Sequence, residues 1–314
     1  MIWNIFLIVT GIISVLLGAD KLTEGAASLA RRMNIPEIII GLTIVAAGTS
    51  APELFVSLVS ALKGTADLAV GNVVGSNTMN AMLIVGCAAM VAPMIISRST
   101  VKKDMPFAVG ASLLLLLLTV DNHLGLVDGI ILLVGFAAFM AYTLRQAKKG
   151  ETHADTEPEP SAAVQRSPLV SVCFVVFGLA LLVVGSNLFV DNASELALSL
   201  GISEGVVGLT VVAGGTSLPE LATSVVAARK GQSAIAIGNV IGSNVFNILM
   251  ILGLTAAISP LTIEGITTLD MAVMMLSIAL VWFFSRTRYT VERWEGAVLV
   301  VGYLAYLGWL IYSL

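Results

Sequence analysis

The 314-residue chain is 57% hydrophobic and only 11% charged, with 16 basic and 20 acidic residues and a mean hydropathy of +0.98. Soluble domains carry roughly 25% charged residues, so that class is excluded. Apolar runs of about 20 residues, enough to cross roughly 30 Å of hydrocarbon, recur from end to end, and the short alternating segments of a β-barrel are absent. The net charge of −4 says little, because the charges sit in loops; neither a nucleic acid nor a protein partner is expected.

Ten membrane spans are predicted, at about 2–19, 36–62, 69–92, 106–120, 124–145, 168–190, 203–229, 234–258, 268–285 and 294–313. The first run, Ile2 to Gly18, has no basic residue before it, and its Gly11 and Gly18 recur as Gly178 and Gly185, so it reads as a retained helix rather than a cleaved signal peptide. Cys87 and Cys173 lie in apolar spans far from any His or second Cys and read as packing residues. Five spans fall in residues 1–145 and five in 168–314. The join, 146–167, is rich in Pro, Glu and Ser without apolar period, and predicts a short disordered linker.

Basic residues fix the expected orientation. With the N-terminus outside, the inner loops hold Lys21, Arg31, Arg32, Arg98, Lys102, Lys103, Arg145, Lys148, Lys149, Arg166, Arg229, Lys230, Arg286, Arg288 and Arg293, and only Lys63 lies outside. The expectation is a multi-pass protein of the cell (inner) membrane, with both termini outside and the linker cytoplasmic.

Residues 41–86 and 208–253 are near copies. The first reads GLTIVAAGTSAPELFVSLVSALKG and then GNVVGSNTMNAMLIVG; the second reads GLTVVAGGTSLPELATSVVAARKG and then GNVIGSNVFNILMILG. They align without a gap at an offset of about 167 residues, with about 26 of 46 positions identical. An odd number of spans per half obliges the second copy to enter the membrane upside down. The flanking charge agrees: Lys21, Arg31 and Arg32 precede the first copy, whereas Asp191, Glu195 and Glu204 precede the second. The predicted fold is therefore an all-α polytopic membrane protein of ten transmembrane helices in two inverted five-helix repeats, an arrangement typical of secondary transporters, whose site lies at the midplane where the repeats meet.

Within each copy the polar residues fall at helical spacing. Ala46, Thr49, Ser50, Glu53 and Ser57 share one face of the second span, and Asn72, Ser76 and Asn80 form a stripe on the third. Ala213, Thr216, Ser217, Glu220 and Ser224 repeat the first set, and Asn239, Ser243 and Asn247 the second. Pro52 and Pro219 lack an N–H, which should break both helices at the midplane and free the carbonyls near Gly48 and Gly215; such backbone is tolerated only where protein or a watery cavity receives it. Carboxylates, hydroxyls, carbonyls and amide oxygens together suit Ca²⁺ or Na⁺, and without imidazole or thiolate they serve zinc, copper or iron poorly. Small residues in these spans also permit close helix packing, and Asn72, Asn77, Asn239 and Asn244 can as well bond a neighbouring helix as ligate an ion.

No Lys or Arg falls mid-span near Glu53 or Glu220. Two buried carboxylates, each costing a few kcal/mol on insertion scales, thus lack a counter-ion from the protein. One Ca²⁺ neutralises the pair, as do two Na⁺ or two H⁺, and an empty, doubly charged site should be reluctant to change sides. Obligatory exchange follows as an expectation.

The paired motifs GTSAPE with GNVVGSNTMN and GTSLPE with GNVIGSNVFN resemble those of the cation/calcium exchanger superfamily, and within it the prokaryotic sodium/calcium exchangers, over essentially the whole chain. The resemblance implies Ca²⁺ coordination by Glu53 and Glu220 with the backbone oxygens of Thr49 and Thr216. It implies Na⁺ sites at the Ala46 and Ala213 carbonyls, the hydroxyls of Ser50, Ser217, Ser76 and Ser243, and the same glutamates; Asn80 and Asn247 complete the candidate set. Spans 1 and 6 would form a sliding gate. Some relatives, including the potassium-dependent branch, carry Asp where this chain has Asn247, which argues against K⁺ co-transport here.

The function expected from the sequence is a Na⁺/Ca²⁺ antiporter, not an enzyme, with no cofactor and with the lipid bilayer, Ca²⁺ and Na⁺ as its partners. The alternative is a Ca²⁺/H⁺ antiporter, since protons neutralise the same carboxylates. An intramembrane hydrolase would need a nucleophile or activated water and a substrate groove, for which mirrored ligand shells give no reason. A channel fits the argument for stoichiometric exchange poorly.

Overall fold

The computed structural model describes residues 1–149, 167–201 and 213–313. Most of the expected linker, with His153, Arg166 and the acidic run from Glu151 to Glu159, lies outside the described residues, as do Glu204 and the start of the second copy, Gly208 to Val212.

The described chain is helical, as a membrane interior requires of any backbone that must satisfy its own polar groups. In order, the helices are α1 (Ile2–Arg32), α2 (Glu37–Thr49), α3 (Ala51–Leu62), α4 (Ala66–Val91), α5 (Met105–Leu118), α6 (Leu126–Lys149), α7 (Pro168–Ser199), α8 (Ala213–Thr216), α9 (Leu218–Arg229), α10 (Ser233–Ile258), α11 (Thr268–Arg286) and α12 (Arg293–Ser313). Seven of these are long and apolar enough to cross a membrane, or eight when α2 and α3, bent by 46° at Ser50, count as one span. The other two expected spans correspond to α5, which has 14 residues, and to a segment ending in α9 whose first part is outside the described residues.

Two of the helices outrun their expected spans. The first span, expected over 2–19, continues as helix to Arg32, and the sixth, expected over 168–190, continues to Ser199. The charged residues after Asp20 do not end α1, because Ala19, Leu22, Ala26, Ala27 and Ala30 on its inner face are fully buried and Ala and Leu are strong helix formers. The helix stops only at Asn34, whose φ of 52° is left-handed, with Pro36 beyond it.

The long helices α1 and α7 pack against each other along a run of small residues. A Cβ on Gly11 would lie 2.7 Å from the Gly185 carbonyl oxygen, and one on Gly178 would lie 2.6 Å from the Leu22 nitrogen. Ser28 and Ser171 continue the line, their hydroxyls 2.9 Å apart. Only glycine lets two backbones approach this closely, the packing mode that substitutes for the hydrophobic effect in lipid.

Helices α4 and α10 form the centre: 78% and 89% of their apolar windows are buried, against 17% for α12 at the periphery. Cys87 is half-buried and Cys173 is exposed on α7, and both are free thiols. Two short strand pairs join the halves at their loops. Met94–Ile95 (β1) pairs antiparallel with Thr290–Val291 (β4), and His123–Leu124 (β2) with Leu261–Thr262 (β3).

The glycine contact makes a direct prediction. Gly178→Val should lower the thermal unfolding temperature of detergent-purified protein, at a cost of about 1–3 kcal/mol or more for overpacking. Gly110→Ala, where a Cβ meets nothing within 4 Å, should leave that temperature unchanged.

Candidate functional site

The site lies where the break between α2 and α3 faces the break between α8 and α9. Ser50 and Ser217 occupy the two breaks with matched backbones, φ −82° and ψ 8° against φ −90° and ψ 6°. Pro52 and Pro219 stand in the first turns that follow, where a missing N–H costs nothing. Glu53 and Glu220 therefore begin α3 and α9 and project into the centre, 0% and 1% exposed.

The two copies bond crosswise. Ser50 Oγ donates to Glu220 Oε1 at 3.0 Å, and Ser217 Oγ donates to Glu53 Oε1 at 3.2 Å while standing 3.2 Å from Ser76 Oγ. Asn80 Nδ2 donates to Asn244 Oδ1 at 3.1 Å and Asn247 Nδ2 to Asn77 Oδ1 at 3.0 Å. Sequence separations of 164 and 170 bracket the offset of the duplication. Each residue thus bonds the counterpart of a neighbour one helical turn away. A fifth bond, from Asn77 Nδ2 to the Asn244 carbonyl at 3.2 Å, joins counterparts directly.

A second set of asparagines builds the frame. Asn72 Nδ2 donates to the Glu53 carbonyl and to Ser57 Oγ, at 3.1 and 2.9 Å. Asn239 Nδ2 repeats this on the Glu220 carbonyl and Ser224 Oγ, at 3.3 and 3.0 Å. Ser57 and Ser224 in turn donate to the Ala69 and Ala236 carbonyls, at 3.2 and 3.5 Å. Both serines, placed on the polar face by the sequence pattern, therefore tie helix to helix. Thr49 Oγ1 donates to Asn239 Oδ1 at 3.1 Å, locking the α2 end to α10.

Of the freed carbonyls expected before the prolines, one is already bonded: Gly215 O accepts from Ser186 Oγ at 2.6 Å. The Ala46 carbonyl accepts the Ser50 N–H at 3.0 Å and lies 3.3 Å from Thr49 Oγ1; since the Thr49 hydrogen goes to Asn239, one lone pair of that carbonyl stays open. Ala213 opens the short helix α8. Ser76, Ser243, Thr49, Thr216, Asn80 and Asn247 are all buried.

Inside this frame five oxygens are buried without any hydrogen-bond partner: Glu53 Oε2, Glu220 Oε2, Asn80 Oδ1, Asn247 Oδ1 and Ser243 Oγ. Buried polar atoms are nearly always satisfied; six further unpartnered atoms lie elsewhere among the described residues, but these five come from the candidate residues of the two motif copies, and together they can hold a ligand that attracts oxygens. The carboxylates are close enough to repel each other. Among the described residues the ion pairs lie elsewhere, at Asp20, Glu24 and Glu37, and none involves Glu53 or Glu220.

The sequence pattern did not foresee the π-helical turns. Asn80–Ile84 and Phe246–Leu252 wind with wider turns beginning at or beside the candidate asparagines Asn80 and Asn247, and Gly41–Val45 does so just before Ala46. Such turns are frequent at functional sites, but no local residue pattern announces them.

A helical bundle of this hydropathy, with a two-copy centre of acidic, hydroxyl and amide oxygens inside it, defines a multi-pass membrane protein that handles cations. Residues 3–145 and 170–312 match the family described as sodium/calcium exchanger protein, and the chain belongs to that family. It is 39% identical over 311 residues to the inner membrane protein YrbG of Escherichia coli, covering 97% of this chain and 95% of that protein. It is 31% identical over 345 residues to the sodium/calcium exchanger MaX1 of Methanosarcina acetivorans, covering 98% and 99%. Among solved structures, the sodium-calcium exchanger NCX_Mj superposes with a TM-score of 0.86 at 29% identity, covering 98% of this chain and 99% of that one.

The asparagine frame can be tested without reference to transport. Asn239→Leu removes the bonds to the Thr49 hydroxyl, the Ser224 hydroxyl and the Glu220 carbonyl, and should destabilise the folded protein by about 1–3 kcal/mol. Thermal unfolding in detergent reads this directly, and an unchanged unfolding temperature would remove Asn239 from the frame.

Proposed function

We propose that this protein is a Na⁺/Ca²⁺ antiporter that exchanges the two ions across the cell membrane by alternating access at one site, that of Glu53 and Glu220. The observation that carries the proposal is the cluster of orphaned oxygens around two carboxylates that no Lys or Arg neutralises. Ca²⁺ as substrate is held by Glu53 and Glu220 with the backbone oxygens of Thr49 and Thr216. Na⁺ takes the Ala46 and Ala213 carbonyls, the hydroxyls of Ser50, Ser217, Ser76 and Ser243, and the same carboxylates, and the amide oxygens of Asn80 and Asn247 complete the shared cation site, open to either ion. The names of MaX1 and NCX_Mj support sodium and calcium as the exchanged pair.

The mechanism follows from charge. A doubly anionic site in low dielectric is costly to carry across the barrier between outward- and inward-facing states, whereas one Ca²⁺ or two Na⁺ cancel its charge. A third Na⁺ would leave one net positive charge, worth roughly 2.3 kcal/mol per 100 mV, so an inside-negative potential would then favour Ca²⁺ extrusion. The protein is thus a transporter and not an enzyme.

The architecture that serves this mechanism is ten spans in two inverted repeats, 1–145 and 168–314, joined by a cytoplasmic linker at 146–167, with helices broken at the site. The match of the family in two blocks supports the division. The strand pairs support the sidedness: β1 joins β4 and β2 joins β3, in each case two loops assigned to one side. So does the Lys230–Asp20 ion pair at 2.7 Å, since both residues fall toward the inner side. A C-terminal alkaline phosphatase fusion should be active and one within the linker inactive; the reverse pattern would overturn the orientation.

Purified protein in liposomes tests the function. ⁴⁵Ca²⁺ uptake should be driven by an outward Na⁺ gradient at matched pH, and Glu53→Gln or Glu220→Gln should abolish it with the fold intact. Uptake that follows a pH gradient alone would make the protein a Ca²⁺/H⁺ antiporter. Ca²⁺ leak without any counter-ion would overturn obligatory exchange, and flux retained in either glutamine variant would overturn the ligand assignment.

A further inference from the structure

The asparagines Asn77, Asn80, Asn244 and Asn247 are all buried, at most 2% exposed, yet they fall into two kinds. Asn80 and Asn247 each keep an amide oxygen with no partner. Asn77 and Asn244 have theirs filled, by Asn247 Nδ2 and Asn80 Nδ2 respectively.

The difference matters because a primary amide has two unlike ends. One presents an acceptor oxygen and the other two donor hydrogens, and half a turn of the side chain exchanges them at almost no change in shape. A cation is attracted by the first end and repelled by the second. A carboxylate has no such ambiguity, since either end is oxygen. A site with only two carboxylates must draw further ligands from neutral groups, and an asparagine serves only if its amide is held the right way round.

We infer that Asn77 and Asn244 are positioning residues: each accepts the amide hydrogens of the ligand asparagine in the opposite copy, Asn247 and Asn80 respectively, and so turns its oxygen toward the transported cation. The inference rests on the proposed ligand role of Asn80 and Asn247. Asn77 is itself anchored by its bond to the Asn244 carbonyl, which fixes its own oxygen toward Asn247. The first half of the chain thereby sets the ligand polarity of the second, and the second that of the first.

A double-mutant cycle on Ca²⁺ binding separates this role from simple packing. In full-length purified protein, Asn77→Ala should weaken ⁴⁵Ca²⁺ binding by about tenfold or more, but by less than about twofold in an Asn247→Asp background, where either carboxylate oxygen serves. The mirror cycle, Asn244→Ala with and without Asn80→Asp, should give the same result. It leaves the test standing if one alanine variant fails to fold. Equal losses in both backgrounds would make Asn77 and Asn244 structural residues and overturn the inference while sparing the proposed function. Wild-type protein that binds no Ca²⁺ would overturn both.

Discussion

The structure depends on one electrostatic constraint: two carboxylates, Glu53 and Glu220, share a buried centre, and among the described residues neither has a basic partner. Insertion scales put a buried charge at the bilayer centre at about 3 kcal/mol, and the like charges add repulsion. The protein meets part of this by crosswise hydrogen bonds, Ser50 to Glu220 and Ser217 to Glu53, which satisfy one oxygen of each carboxylate. The second oxygen of each remains unpartnered. Two prolines and two helix breaks bring these groups together and leave one oxygen of each carboxylate open, the feature on which the proposed cation site rests.

Around that centre the polar groups are arranged in two tiers of opposite character. Asn72 and Asn239 each spend their amide hydrogens on a glutamate carbonyl and a serine of the same copy. They hold the positions of the glutamate-bearing helices against α4 and α10. The inner tier, Asn80, Asn247 and Ser243, is left incomplete. Saturation makes a frame rigid, whereas an unsatisfied buried acceptor keeps its affinity for something else. The two properties cannot be met by the same atoms, and the duplication supplies enough asparagines for both.

The pair α1 and α7 is attached differently. Its own interface is close-packed through glycines, and its polar links to the rest of the bundle include Arg31 to Glu37 at 3.4 Å, Lys230 to Asp20 and Thr23, at 2.7 and 3.0 Å, and Ser186 to the Gly215 carbonyl. Leu179 and Val190 of α7 press on Gly48 and Gly215, beside the two breaks. Any relative movement of this pair and the site must exchange those contacts.

Hydropathy, charge bias and the duplication, all read along the chain, were enough to determine the membrane class, the helical fold, the family and the motif residues that meet at the centre. Each rests on local composition or on a pattern that repeats, and such properties survive without knowledge of contacts. Helix ends were less legible, because α1 continues past Asp20 on the strength of buried alanines that only packing reveals. The roles within the motif were decided by the tertiary structure alone. Spacing put Ser57, Asn72 and Ser76 on polar faces alike, but bonds across the duplication decided which atoms are consumed and which stay open. Such bonds join residues 164 to 170 positions apart, a distance over which no helical period carries information and only the folded meeting of the two copies does.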